Sequence, residues 1–212
     1  MDKDQLIQGW IKRKIITDKK IISAFQELNR ENFILEEYKD QAYADYPLPI
    51  LAGQTISQPT TIAIMTSLLE PKEKNKILEI GTGSGYQAAI LGKIVGSGGK
   101  IISIEIIEEL AEFAKANLKK ENITNVEIIH GDGSVGYEKQ SPYDRIIITA
   151  ATPKITDELI GQLKDYGLLV APVGYDIHSL VMTKIIKQKN TITKHEFGSF
   201  SFVPLRGIKG FE

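Results

Sequence analysis

Residues 77–91, ILEIGTGSGYQAAIL, constrain what this chain can fold into more than any other stretch. An apolar run of strand length breaks into glycines at alternate positions, Gly81, Gly83 and Gly85, then resumes as an alanine-rich helical pattern. The pattern predicts a strand, a tight turn and a helix start. Glycine at these positions lets the backbone take positive φ and lets a planar or anionic group approach it closely. The loop therefore reads either as the seat of a nucleotide-like cofactor or as a plain glycine-rich βα connection.

The residues that follow favour the cofactor. KIISIEII predicts a second strand with Glu105 near its end, twenty residues beyond Gly85. That is about the spacing at which an acidic residue meets a ribose diol in nucleotide-binding βαβ units. VEIIH predicts a third strand, followed at once by Gly131, Asp132 and Gly133. Asp132 on that rim is a candidate for the amino or ring-edge hydrogen bonds of an adenine, with a simple βα turn as the alternative. The glycine pattern is G-T-G-S-G-Y, and Tyr86 holds the position of the third glycine in the dinucleotide fingerprint. No pyrophosphate seat is spelled out. An adenosyl cofactor with a short amino-acid tail needs only Glu79 and the glycine loop for the tail, Glu105 for the ribose and Asp132 for the base, which describes S-adenosylmethionine.

Around this unit the chain alternates strand and helix. Residues 144–149 are near-continuously apolar, as in a strand covered on both faces. Thr156 or Asp157 opens a helix with Leu159, Ile160 and Leu163, and GLLVAPVG is a fifth strand. Residues 179–205 read as two longer antiparallel strands around Lys189 and Asn190. Ahead of the glycine loop, Leu6, Ile7, Trp10, Ile11 and Ile15 mark one amphipathic helix. Ile21, Ile22, Phe25 and Leu28 mark another, capped by Thr17 or Asp18. These helices are expected to cover the edge or end of the sheet. Residues 35–54 read as an irregular surface loop. Ser57 is placed as the N-cap of a helix entered at Pro59, and that helix N-terminus is also a natural carboxylate seat. The expected fold is α/β, a Rossmann-like methyltransferase arrangement with a mostly parallel sheet, a C-terminal antiparallel strand pair and N-terminal helices. It forms a single domain over 1–212: N-terminal helices and loop in 1–56, a cofactor-binding core in 57–175, and the strand pair with its final segment in 176–212.

Composition narrows the chemistry. With 212 residues the chain can bury roughly 70% of its unfolded surface. Its 26 basic and 27 acidic side chains leave no excess field for nucleic acid or an anionic membrane. The absence of cysteine removes thiolate nucleophiles and zinc–cysteine sites, and His130, His178 and His195 lack ligand spacing, so no metal is expected. The charged N-terminus and the lack of a membrane-length apolar run give a cytoplasmic expectation.

GQTISQP, ILEIGTGSGYQAAIL, SIE, HGDG, YDRIIITAA, APVG and FVPL, in this order, resemble the protein-L-isoaspartate O-methyltransferase family over essentially the whole chain. Many methyltransferases share the glycine loop, whereas TIS-x-P and FVPL are specific to this family. The resemblance implies an active-site role for Ser57 and substrate contacts from Thr55, Ile56, Val203 and Leu205. It implies a cofactor site made of Glu79, Gly81, Thr82, Gly83, Gly85, Glu105, Asp132 and Gly133. It also implies final strands ordered differently from most relatives. The implied reaction moves a methyl group from S-adenosylmethionine, leaving S-adenosylhomocysteine, to the free α-carboxylate of L-isoaspartyl residues in damaged proteins and peptides, with no obligate protein partner. Thr60 departs from the family, where a tyrosine or histidine is usual after the proline; if that side chain walls the pocket, the pocket here is more open. Two other classes remain: a methyltransferase for a small molecule or an amino group, and a non-enzymatic cofactor-binding module. TAATP after the fourth strand, without an Asn/Asp-Pro-Pro-aromatic motif, argues against amino-group transfer.

Overall fold

Five strands alternating with helices build a parallel sheet, and a hairpin extends it. The computed structural model describes residues 2–189 and 191–211. The first two strands are short: β1 (Leu48–Pro49) and β2 (Thr55–Ile56) pair with each other. The main sheet contains β3 (Lys76–Ile80), β4 (Lys100–Glu105), β5 (Val126–His130), β6 (Tyr143–Ile148), β7 (Leu163–Val173), β8 (Leu180–Gln188) and β9 (Thr191–Phe200). Its order is β5-β4-β3-β6-β7-β8-β9, so the last two strands follow chain order. Strands β3 to β7 are parallel, and β8 runs antiparallel to both β7 and β9. Lys189 begins the hairpin turn at φ 53°, and Asn190 lies outside the described residues. Because β3 pairs with β4 on one side and β6 on the other, the winding reverses at β3, and a crevice opens beyond its carboxyl end.

Strand periodicity of two sorts side chains onto the two faces. Ile77, Ile101, Ile147 and Val170 meet Met65 and Leu69 of α3 (Pro59–Leu69) and Ala88, Leu91 and Val95 of α4 (Tyr86–Val95). Leu78, Ile80, Ile102, Ile146 and Ile148 pack on the other face with Leu159 of α6 (Asp157–Gly161) and with Leu205. Both faces of β6 are thus covered, which is why its sequence is apolar without interruption. Between β4 and β5, α5 (Glu108–Lys120) buries Leu110 and Leu118. Leu163 opens β7 instead of extending α6, which has only five residues.

The N-terminal helices α1 (Lys3–Lys12) and α2 (Lys19–Glu27) pack chiefly on α4 and not on a strand. Trp10, Ile21 and Phe25 pack with Ala89, Ile90 and Ile94 of α4, forming a second helical layer. Trp10 meets Phe25 edge-on, ring centroids 5.1 Å apart. Helix α1 stops before Ile15 because Lys14 takes φ 57°; its N–H bonds Ile11 O, and Ile15 N–H bonds Trp10 O, a Schellman closure. Residues 30–53 are no free loop: they contain the 3-10 turns Arg30–Phe33, Glu36–Gln41 and Leu51–Gly53, with Leu48 and Ile50 buried.

Candidate active site

The turn after β3 uses its three glycines for different purposes. Gly81 takes φ 93°, and a Cβ there would stand 2.6 Å from Thr149 Oγ1. Gly83 takes φ 55°, and a Cβ would meet only Ile50 Cδ1 at 3.8 Å, an ordinary van der Waals contact, so φ and not crowding calls for glycine here. Gly85 takes φ 85°, and its Cβ would fall 3.1 Å from Ala114 Cβ, so its bareness lets α4 begin against α5. Gly81, Thr82 and Gly83 line the cleft, but Gly85 does not. Gly85, expected in the cofactor site, thus stands off the cleft and packs on Ala114.

Glu105 is almost fully buried and clamps this turn. Its Oε2 accepts from Gly83 N–H at 2.9 Å and its Oε1 from Ile107 N–H at 3.0 Å. Behind it, Ser103 Oγ donates to Glu79 Oε2 at 2.5 Å and shares a hydrogen bond with Thr82 Oγ1 at 2.6 Å. Glu79 Oε1 has no partner, and burial raises this carboxyl's pKa to about 8 against the pull of the Ser103 hydrogen bond. Burial thus favours the protonated form of this acid behind the glycine turn.

The cleft itself is open to solvent and runs between two walls of the molecule. Its glycine side adds Ser84, Tyr86, Gln87, Ile107, Leu110 and Gly133. Facing them are Gln54, Thr55, Ile56, Ser57, Val203, Pro204, Leu205 and Arg206. Two devices deliver this second wall. The β1–β2 pair sets Thr55 opposite Pro49, and the C-terminal segment docks beyond β6, where Ala151 N–H donates to Val203 O and Leu205 N–H to Ala151 O, both at 2.8 Å. All four expected substrate contacts, Thr55, Ile56, Val203 and Leu205, share the cleft with Ser57.

Three expectations about side chains need correction. Ser57 does not cap α3: the N-cap is Gln58, with no side-chain cap of its own. Asp45 takes over from fifteen residues away, its Oδ1 accepting from Thr60 N–H at 2.9 Å and its Oδ2 from the Thr60 hydroxyl at 2.7 Å. Thr60 Oγ1 in turn accepts from Trp10 Nε1 at 2.8 Å. Thr60 is thus engaged by Trp10 and Asp45 and does not itself line the cleft. Ser57 Oγ, relieved of capping, makes no hydrogen bond among the described residues. Finally, Asp132 does not line the cleft: its Oδ1 accepts from Ser134 N–H and its Oδ2 from Ile208 N–H, both at 2.8 Å, and these bonds hold its pKa below the usual carboxylate value despite burial. Gly133 lines the cleft in its place.

Sequence reasoning missed Arg206, the only cationic side chain among the lining residues, which has no ion pair among the described residues. It follows FVPL with no periodic signal. It also missed Ile106 and Ile107, although an apolar pair directly after Glu105, with Ile106 37% exposed, is a visible hint of an apolar ligand face. Among the described residues, no group of three His, Asp or Glu side chains could hold a metal, and no helix is long and apolar enough to cross a membrane.

Known proteins resemble this chain along its length. A family model described as protein-L-isoaspartate(D-aspartate) O-methyltransferase matches residues 1–210. Protein-L-isoaspartate O-methyltransferase 2 of Archaeoglobus fulgidus is 47% identical over 211 residues, covering 100% of this chain and 96% of the relative. The Pyrococcus horikoshii protein-L-isoaspartate O-methyltransferase is 42% identical over 219 residues, covering 100% and 99%. A solved protein-L-isoaspartate O-methyltransferase matches with TM-score 0.89 at 27% identity, over 98% of this chain and 67% of that one. A Plasmodium falciparum structure described under the same activity, in complex with S-adenosyl-L-homocysteine, shares the fold with TM-score 0.83 at 24% identity, over 97% and 99%. With a glycine turn, a buried acid behind it and an opposing wall of residues 55–57 and 203–206 already on one cleft, these matches settle the lineage: the chain belongs to the protein-L-isoaspartate(D-aspartate) O-methyltransferase family.

Proposed function

We propose that this chain repairs damaged proteins and peptides by methylating the free α-carboxylate of L-isoaspartyl residues, with S-adenosylmethionine as donor. The observation that carries the reading is the meeting of two walls on one cleft: the glycine turn with Glu105 on one side, Ser57 with residues 203–206 on the other. The residues present fit the donor. Gly83 leaves its backbone accessible to an amino-acid tail, and Glu79, which is buried behind the turn and does not itself line the cleft, keeps Oε1 unpartnered and so favours a cationic neighbour there. Helix α4 has glycine at its N-cap and no first-turn acid, and only the long bond from Tyr86 N–H to Ser84 Oγ at 3.4 Å engages its first N–H, which leaves the N-terminus available to a carboxylate. Glu105 would accept from the ribose hydroxyls, and Ile107, Leu110 and Gly133, on the same wall of the cleft, would hold the base. Asp132 acts at one remove, fixing the turn at residue 208 and the backbone around Gly133. Bound there, the donor supplies a methyl group activated by its positive sulfur.

The acceptor needs little activation. A free α-carboxylate has a pKa of roughly 3 to 4 and is already anionic at neutral pH, so no general base is required. Ser57 donates its free hydroxyl to one carboxylate oxygen and leaves the other to attack in line. Because Asp45 occupies the first turn of α3, the backbone there contributes less than a bare helix end would. Arg206 supplies the positive field on the acceptor side. Charge is neutralised as the methyl group moves, so alignment and exclusion of water carry the catalysis. After release, the next backbone nitrogen attacks the ester carbonyl, methanol leaves, and water reopens the succinimide partly to normal aspartate. A cytoplasmic location, with damaged proteins as the only partners, completes the proposal.

The test is methyl transfer from labelled donor to an isoaspartyl peptide, scored as base-labile label released as methanol, with the normal aspartyl peptide alongside. Labelling of the isoaspartyl peptide alone supports the reading. Equal labelling of both, or of neither, refutes it.

A further inference from the structure

Arg30 is 1% exposed and stands outside the cleft, yet it touches both of its walls. Its Nη2 donates to the main-chain carbonyl of Ser57 at 2.8 Å. Its guanidinium carbon lies 5.3 Å from the ring centroid of Tyr86, the first residue of α4 after the glycine turn. Phe33, from the same 3-10 turn, meets that ring at 5.2 Å. Burial lowers the Arg30 pKa to about 10, while Tyr86, Tyr43 and Asp45 favour the charged form, so it is a cation at neutral pH.

This is an expensive way to fill a core. Nε and Nη1 are buried with no hydrogen-bond acceptor, and a buried guanidinium lacking its partners is commonly replaced by an apolar side chain of similar volume without loss of stability. Packing alone therefore gives no reason for an arginine here. Geometry does: one rigid, planar group grips the acceptor-side turn at Ser57 and rests on the residue that closes the donor-side turn.

We propose that Arg30 is a positioning residue for methyl transfer, holding the Ser57 turn at a fixed distance from the glycine loop through the Ser57 carbonyl and the Tyr86 ring. The inference rests on the acceptor role assigned to Ser57. An in-line displacement is steeply sensitive to such spacing, and a shift near 1 Å costs on the order of 100-fold in rate. Arg30 reaches the reaction only through Ser57 and Tyr86.

Arg30→Met and Arg30→Lys are compared with wild type by thermal unfolding, S-adenosylhomocysteine affinity and steady-state kinetics on an isoaspartyl peptide. For Arg30→Met the expected result is an unfolding midpoint equal to or above wild type, nearly unchanged product affinity, and kcat reduced on the order of 10- to 100-fold with a smaller change in KM. Arg30→Lys, whose ammonium can still reach the Ser57 carbonyl, recovers part of kcat. In a Ser57→Ala background Arg30→Met costs little more, because both act on one step. Unchanged kcat, a kcat loss matched by lost stability and product affinity, or full additivity with Ser57→Ala overturns the proposal. If Arg30→Met does not fold, Arg30→Lys decides: a folded lysine variant with wild-type kcat and KM assigns no special role to the fork. Wild-type turnover of the same peptide reports separately on the acceptor.

Discussion

Replacing Glu79 by Gln should change how stability depends on pH. The carboxyl is fully buried, Ser103 bonds one oxygen, the other has no partner, and burial lifts its pKa from 4.5 to about 8. A folded pKa above the unfolded one means that the native state holds a proton the unfolded chain gives up. The stabilisation is complete below about pH 4.5 and is lost as pH rises through about 8. Within that window the slope is about 1.4 kcal/mol per pH unit. Urea unfolding of both proteins at several pH values isolates this group, because other titrations cancel in the difference. From about pH 5.5 to 8, wild type should lose about 2–4 kcal/mol more than Glu79→Gln. Saturating S-adenosylhomocysteine should flatten the wild-type decline, since its ammonium favours the ionised carboxylate. Parallel pH profiles would show that Glu79 carries no proton in the native state and would refute the reasoning.

The other predictions concern the walls of the cleft. Gly81→Ala places an L side chain at φ 93° with its Cβ 2.6 Å from Thr149 Oγ1; calorimetry should show weakened S-adenosylhomocysteine binding and unfolding a stability loss of about 1–3 kcal/mol. Retained affinity would remove this turn from the donor site. Asp45→Ala strips α3 of its remote cap and should lower stability by about 1–2 kcal/mol, seen as a reduced urea midpoint at unchanged m. Arg206→Glu should raise KM for an isoaspartyl peptide by about two- to fivefold at low salt, with kcat nearly kept and the difference shrinking as salt is added. A salt-independent KM equal to wild type would mean that Arg206 sets no field for the acceptor.

The sheet was legible in the sequence because its buried strands β3, β4 and β6 are short apolar runs stopped by Gly81, by Glu105 and by the TAATP turn. The start of β7 was not, because Lys164, Asp165 and Tyr166 are exposed and polar, and Tyr166 turns at φ 64° before the apolar part of the strand. An amphipathic stripe shows that α1 and α2 are covered but not by what, and their partner proved to be α4. At the site, spacing pointed to Gly81, Gly83 and Glu105, which belong to one βαβ unit and line one cleft. It also pointed to Gly85, which packs on Ala114, and to Asp132, whose carboxylate meets residue 208 across the fold. The links from Asp45 to Thr60 and from Arg30 to Ser57 join segments without any repeat, so nothing local announces them.

In the proposed function the cleft has a donor wall and an acceptor wall, and Ser57→Ala tests that division most directly. S-adenosylhomocysteine affinity by calorimetry and turnover of an isoaspartyl peptide are measured on the same preparation. The expected result is an affinity within about twofold of wild type together with a kcat/KM lower by on the order of 10- to 1,000-fold, the loss of one well-placed hydrogen-bond donor. Turnover equal to wild type, or a fall in product affinity as large as the fall in kcat/KM, would contradict it.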